Sequence, residues 1–217
     1  MNTRPIKFFY SPGACSLASH IVLEETGAAY EAVRIALAEG AQRQPDYLAL
    51  NPKGRVPVIV DGDFVLTESP AILYYLAQRF PAAGLWPGDP QAAARCAEWL
   101  AWGSSGIHVT YAHLSRPERY TNTEAAIEDV KAKARSASRE AWEMVEAKLA
   151  AAKSTWVAGE HYSVADAYAF VFWNWGRSTR LGYDMARDFP VWTEHARRVG
   201  ERPAVRRTLE QEGIALP

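Results

Sequence analysis

The chain contains only two cysteines, Cys15 and Cys96, in 217 residues. No disulfide framework can be built on so few, and free thiols fit a reducing compartment, so a cytoplasmic protein is expected. Long apolar runs are also missing. The first apolar stretch, Ile6 to Tyr10, is interrupted by Lys7 and followed at once by Pro12-Gly13. That is too short for a secretory leader or a membrane span, and neither secretion nor membrane anchoring is expected. No run of five like charges occurs, and the formal net charge is -1. A chain without a basic arm or a basic excess has no bulk attraction for nucleic acid or an anionic membrane surface. Gly13, Gly54 and Gly62 stand isolated, so there is no glycine-rich phosphate loop and no support for a nucleotide cofactor. Tryptophan is absent from the first 85 residues, although eight follow from Trp86 onward.

That asymmetry coincides with a segment of three prolines and two glycines, Pro81 to Pro90, which marks the best linker. Residues 1–80 are read as one domain, 81–90 as the linker and 91–217 as a second domain. In the first, short β-like runs alternate with helical ones. Ile6 to Tyr10 precedes a helix from Cys15 to Thr26, then Tyr30 to Ile35 and a short helical piece at Asp46 to Leu50. Val56 to Asp61 and Phe64 to Thr67 follow, joined by Gly62-Asp63 at the spacing of a tight hairpin, and a helix is expected from Pro70 to Arg79. The order is βαβαββα, and its opening βαβ unit implies a parallel strand pair.

After the linker the pattern is helical throughout. Asp89 and Pro90 have the character of an N-cap and a first helical residue. From Thr123 to Ala152, Ile127, Val130, Ala134, Ala137, Ala141, Val145 and Leu149 recur at spacings of three and four, the mark of one buried helical face. Ser163-Val164-Ala165-Asp166 sets a capping oxygen and a carboxylate three residues apart ahead of an apolar and aromatic run reaching Trp175, so both polar residues are assigned to capping rather than chemistry.

Four features carry chemical content. The turn Ser11-Pro12-Gly13-Ala14 delivers Cys15 to a helix start, where the macrodipole and free N–H groups favour a thiolate; the plainer alternative is a buried thiol. Val56-Pro57 opens a strand with a residue that lacks a ladder donor. It is either a simple strand-entry proline or a cis bend that exposes the Val56 N–H and C=O to an extended peptide. Glu68-Ser69-Pro70 reads as a second helix start, with Ser69 as N-cap, suited to a carboxylate, and Glu68 beside it suited to an ammonium; ordinary capping is the alternative. His108 and His113 are five apart, about 140° around a helix, so they cannot share a metal and no metal site is expected. Ser105, His108 and Tyr111 differ by three and are expected on one helical face, which Trp102 continues.

Taken in order, these pieces resemble the cytosolic glutathione transferases. The resemblance rests on Ser11-Pro12-Gly13-Ala14-Cys15-Ser16, Asn51-Pro52-Lys53-Gly54-Arg55-Val56-Pro57, Glu68-Ser69-Pro70-Ala71-Ile72-Leu73, Ser163-Val164-Ala165-Asp166-Ala167-Tyr168 and Glu201-Arg202-Pro203-Ala204-Val205, and its cysteine is most similar to the bacterial beta class. It implies a thioredoxin-like N-terminal domain, an all-helical C-terminal domain, glutathione as co-substrate, and a homodimer. It implies that Val56, before a cis Pro57, pairs with the cysteinyl backbone of glutathione, and that Glu68 and Ser69 hold its γ-glutamyl end. Cys15 and His108 then lie at the thiol, Tyr10 and Ser16 line the same pocket, and Ser105 joins the glutathione contacts. Cys15, Ser16 and His108 are the expected catalytic residues, and Tyr111 and Trp173 the wall for a hydrophobic electrophile. The activity implied is conjugation of the glutathione thiolate, with thiol transfer or glutathione-dependent reduction through Cys15 beside it; a non-catalytic ligand-binding or regulatory protein on the same scaffold is the competing expectation. Three positions depart from the beta-class pattern: Val109 and Ala101 stand where lysine and asparagine are common, and no lysine lies between Ala38 and Gln44.

Overall fold

The computed structural model describes residues 4–217. Its first part is a four-stranded mixed sheet with strand order β2-β1-β3-β4, built from β1 (Ile6–Tyr10), β2 (Tyr30–Arg34), β3 (Val58–Asp61) and β4 (Phe64–Thr67). β1 pairs in parallel with β2, Phe8 opposite Ala32, as the βαβ order requires, and antiparallel with β3, Phe8 opposite Ile59. The β3–β4 hairpin closes over Gly62-Asp63 with Asp61 opposite Phe64, and Gly62 takes a φ of 64°, the left-handed turn geometry that favours glycine. The helices of this part are α1 (Ser16–Thr26), α2 (Pro45–Leu50) and α3 (Ser69–Arg79). This is the expected βαβαββα, a thioredoxin-like domain.

Several boundaries move by a residue, α1 to Ser16, β2 to Arg34 and α2 to Pro45, and two differences bear on the site. β3 begins at Val58 rather than Val56, because Val56-Pro57 is a cis peptide and Pro57 has no ladder donor. Helix α3 begins at Ser69 rather than Pro70, so Glu68, not Ser69, is its N-cap.

The remainder is helical: α4 (Pro90–Trp102), α5 (His108–Ser115), α6 (Ile127–Ala151), α7 (Val164–Gly176), α8 (Met185–Asp188), α9 (Pro190–Gly200) and α10 (Pro203–Glu212). Asp89 caps α4 by accepting from the Ala92 N–H at 2.9 Å. The Ser163 N–H and hydroxyl both donate to Asp166 Oδ2, at 2.8 and 3.0 Å, as the capping pattern anticipated. Asp166 does more than cap: its Oδ1 accepts from the Val157 N–H and His195 Nε2, both at 2.9 Å, so one buried carboxylate ties three segments together. Helix α7 is apolar nearly all round, and it is buried over almost its whole length, the position such a helix must occupy. One continuous core runs from Phe8, Leu17 and Ile72 under the sheet to Trp142, Phe172 and Trp192 between the helices.

Between α4 and α5 the helix widens into a π turn, Gly103–Ile107. Gly103 sits there because a Cβ would come within 2.8 Å of the Tyr168 ring and 3.0 Å of Phe172. The widened turn changes which residues share a face on either side of it.

Candidate functional site

The site is assembled where the β1–α1 turn, the loop before β3 and the start of α3 meet. The turn is held internally: the Ala14 N–H donates to Ser11 C=O at 3.1 Å, and Ser16 Oγ both accepts from the Ser11 N–H and donates to the Ser11 C=O, each at 3.2 Å. It is held from the helical part as well. The Gly13 N–H donates to Glu212 Oε2 and the Trp175 indole N–H donates to the Gly13 C=O, both at 2.8 Å. Gly13 itself has a φ of 68°. Glu212, a buried residue of α10, also meets His20 Nδ1 at 2.8 Å, and His20 Nε2 lies 3.0 Å from the Tyr30 hydroxyl.

Cys15 is buried at the mouth of α1, and its Sγ donates to the Val56 C=O at 3.3 Å. The thiol is not acidic. Burial pushes its pKa up to about 11, Glu68 adds to that rise, and the Ser69 hydroxyl and the N–H groups of Cys15 and Ser16 recover only part of it. The expectation of a favoured thiolate is corrected accordingly: desolvation outweighs the helix N-terminus here.

The loop before β3 is built around buried Asn51, whose Oδ1 accepts from the Lys53 N–H and whose Nδ2 donates to the Arg55 C=O at 2.7 Å. The Tyr47 hydroxyl donates to the same carbonyl at 2.7 Å. Opposite, Glu68 has a φ of 75°, the only positive value for a non-glycine among the described residues. Such a conformation costs free energy and concentrates at functional sites. The Glu68 carboxylate is paired with Lys53 Nζ at 2.5 Å, and that ammonium also reaches Thr67 Oγ1 at 2.7 Å. Lys53 is a site residue that sequence reading missed, because pairing across fifteen residues depends on the hairpin's placement.

From the helical part, His108 presents its ring edge-on to Trp175 at 5.0 Å. Its pKa falls to about 4, first through burial, then through the nearby Arg55 and Arg119 guanidiniums, with Glu68 opposing. These surroundings favour the neutral imidazole over the imidazolium at physiological pH.

Cys15, Val56 and Ser69 thus come together, with Glu68 beside them and His108 within electrostatic range of Glu68 and Arg55. Other expected residues sit elsewhere. Ser105 is exposed and its hydroxyl bonds back to the Ala101 C=O at 2.9 Å; the π turn removes it from the face of His108. The Ser16 hydroxyl is spent on Ser11, and the Tyr10 ring packs on Phe8 and His20 at 5.6 and 5.1 Å. Tyr111 is 7% exposed and stacked on Trp175 at 4.4 Å. Trp173 is 2% exposed, with its indole N–H on Thr193 Oγ1 at 3.0 Å. Both aromatics are core residues rather than an open substrate wall.

Family models for the glutathione S-transferase N-terminal domain and C-terminal domain match residues 5–78 and 110–203. Glutathione S-transferase GstA of Escherichia coli O157:H7 is 32% identical over 212 residues, spanning 96% of this chain and 100% of its own. A glutathione transferase homologue from Sulfitobacter, solved with bound glutathione, superposes with a TM-score of 0.89 at 34% identity, over 97% of this chain and 99% of that one. The bacterial beta class glutathione S-transferase of Sphingomonas chungbukensis superposes with a TM-score of 0.82 at 36% identity, over 96% and 100% of the two chains.

Proposed function

The chain belongs to the glutathione S-transferase family of enzymes, and we propose that it conjugates the thiolate of glutathione to electrophiles, a detoxifying reaction, with Cys15 acting as a hydrogen-bond donor rather than as the nucleophile. The observation that carries this reading is the convergence of Cys15, Val56 and Ser69 on one point. Val56 offers peptide groups for the cysteinyl backbone of the tripeptide. Ser69 and the free N–H groups of α3 suit the γ-glutamyl carboxylate, and Glu68 takes the ammonium in place of Lys53. The glutathione sulfur then lies at the start of α1. A protein thiol that stays protonated at neutral pH donates to a bound thiolate, and the α1 N–H groups add to that stabilisation. Ser16 serves by closing the turn, and neutral His108 fills the opposite side of the cleft without supplying charge.

The relatives solved with glutathione support the ligand, and the free thiols Cys15 and Cys96 support a reducing, cytoplasmic setting. A homodimer belongs to the same reading. Exposed Phe64 and Val65 on edge strand β4 and Tyr74 on α3 offer an apolar surface for a second copy.

The test is kinetic. With glutathione and 1-chloro-2,4-dinitrobenzene, Cys15→Ala should keep conjugation within about tenfold of wild type, whereas reduction of a small disulfide through a mixed disulfide should vanish. Ser69→Ala should raise the KM for glutathione about tenfold, the scale of one hydrogen bond to a charged group. Conjugation abolished in Cys15→Ala and in Cys15→Ser alike, with glutathione binding intact by calorimetry, would instead make Cys15 the nucleophile, because serine keeps a donor and lacks the thiol.

A further inference from the structure

The C=O of Arg55 and the N–H of Val56 belong to one planar peptide unit, so whatever fixes that carbonyl also fixes that donor. Two side chains fix it. The Tyr47 hydroxyl and Asn51 Nδ2 both donate to the Arg55 C=O, each at 2.7 Å, Tyr47 from α2 and Asn51 from the residue that ends it. Both residues are buried, and the Asn51 N–H donates to the Tyr47 C=O at 2.9 Å, so the two donors are tied to each other as well. Val56, only 8% exposed, lends its C=O to the Cys15 thiol at 3.3 Å. Among the described residues its N–H donates to no protein group.

The Tyr47 hydroxyl is more than the packing requires. Its ring belongs to a small cluster with Ile35, Val56 and Val58 and meets Phe9 edge-on at 6.0 Å, contacts that a phenylalanine ring makes equally well. The Arg55 C=O would still be satisfied by Asn51 alone. What a second donor adds is orientation and polarisation. One bond leaves the peptide plane free to tilt about it, and two bonds from separate side chains do not. Bonds accepted by the carbonyl also draw charge through the peptide and make its N–H a stronger donor. Burial, and after it the nearby Cys15 sulfur, raises the Tyr47 pKa, so the phenol keeps its proton and remains a donor.

Resting on the transferase reading above, we propose that Tyr47 is a positioning residue for the tripeptide: with Asn51 it sets the tilt of the Arg55–Val56 peptide and strengthens its N–H as a donor to the cysteinyl carbonyl. Tyr47 acts through that one peptide unit, from inside the cluster beneath the loop. Its consequence is selectivity among thiols. A thiol with a carbonyl in the cysteinyl position is favoured, and one without it gains nothing from the Tyr47 hydroxyl.

Two ligands that differ only in that acceptor test this: γ-glutamylcysteine amide, which carries the cysteinyl carbonyl, and γ-glutamylcysteamine, which lacks it. By calorimetry, wild type should bind the first about tenfold more tightly. Tyr47→Phe keeps the ring and leaves Asn51 on the carbonyl, and it should reduce that preference to about twofold by weakening the carbonyl-bearing ligand alone, about fivefold. The KM for glutathione should rise by a similar factor while kcat at saturation changes less than twofold. In proton–nitrogen correlation spectra of the free protein, the Val56 amide proton should move upfield in Tyr47→Phe as its donor strength falls. Equal weakening of both ligands would make Tyr47 a packing residue and overturn the proposal, and so would no weakening of either. If wild type binds neither ligand, the transferase reading fails, and the Val56 resonance decides the hold of Tyr47 on the peptide: an upfield move supports it, and an unmoved resonance overturns it.

Discussion

His108 shows how the surroundings of one side chain set its chemistry. Its ring is packed on Trp175 and lies near Arg55 and Arg119, and these hold its pKa at about 4 against an ordinary 6.5. In the unfolded chain the imidazole protonates as pH falls through 6.5; in the folded chain it does not until near 4. The stabilisation from a neutral His108 is therefore complete above pH 6.5 and is lost as pH falls toward 4. The two values bound that loss at roughly 3 kcal/mol. Urea unfolding of wild type and His108→Gln should accordingly diverge between pH 7 and pH 4, with wild type losing roughly 2–3 kcal/mol more; parallel curves would refute the half-buried neutral ring. Cys15 makes the same point with the opposite sign of surprise. Its position at a helix start was legible from Pro12-Gly13, but its acidity was not, since the outcome depends on how completely Val56, Ser69 and the rest of the core exclude water.

At the scale of elements, the turn before α1 depends on α10. Glu212 has a side chain with no exposed surface and holds both the Gly13 N–H and His20. Removing it leaves buried His20 Nδ1 and the part-buried Gly13 N–H unmatched, a mechanism that typically costs about 1–3 kcal/mol. Glu212→Ala should lower the chemical stability by about that much, and it should raise the KM for glutathione because the turn carrying Cys15 is freed. Glu212→Gln keeps one acceptor and should lose about half as much; unchanged stability and KM in Glu212→Ala would show the clamp to be idle. No local signal could have found this contact, which joins residues 199 apart. Elements whose cause is local were legible: the Gly62-Asp63 hairpin, the Asp89 cap of α4, the Ser163 and Asp166 cap of α7, and the long apolar stripe of α6. The π turn was not. Its reason is Gly103, and the reason for Gly103 is contact with Tyr168 and Phe172 on another helix. Missing it placed Ser105 beside His108, and the same reading of one face sent Tyr111 toward the substrate.

Among the exposed large apolar side chains, three lie on β4 and α3. β4 is an edge strand, the last in the sheet order, and it carries Phe64 at 46% and Val65 at 40% exposure, while Tyr74 on α3 stands at 49%. An open edge flanked by apolar side chains invites association, and proteins normally cover or charge it. Trp86 packs edge-on against Tyr74 at 4.9 Å, so the exposed ring on α3 is continued by the segment leading to α4. A second copy related by two-fold symmetry would use each patch twice, and any single substitution then acts twice on the pairing. Phe64→Glu tests this with little risk to the fold, since the ring's one aromatic neighbour is Tyr75 at 5.3 Å and nearly half of it already faces solvent. Losing about 2 kcal/mol of apolar burial at each of two symmetric sites raises the dissociation constant by roughly a thousandfold. Sedimentation equilibrium at micromolar concentration should therefore find wild type as a dimer and Phe64→Glu as a monomer with an unchanged circular dichroism spectrum. A wild type that sediments as a monomer, or a variant that still pairs, would move the interface away from β4, and Phe64, Val65 and Tyr74 would then need a different partner.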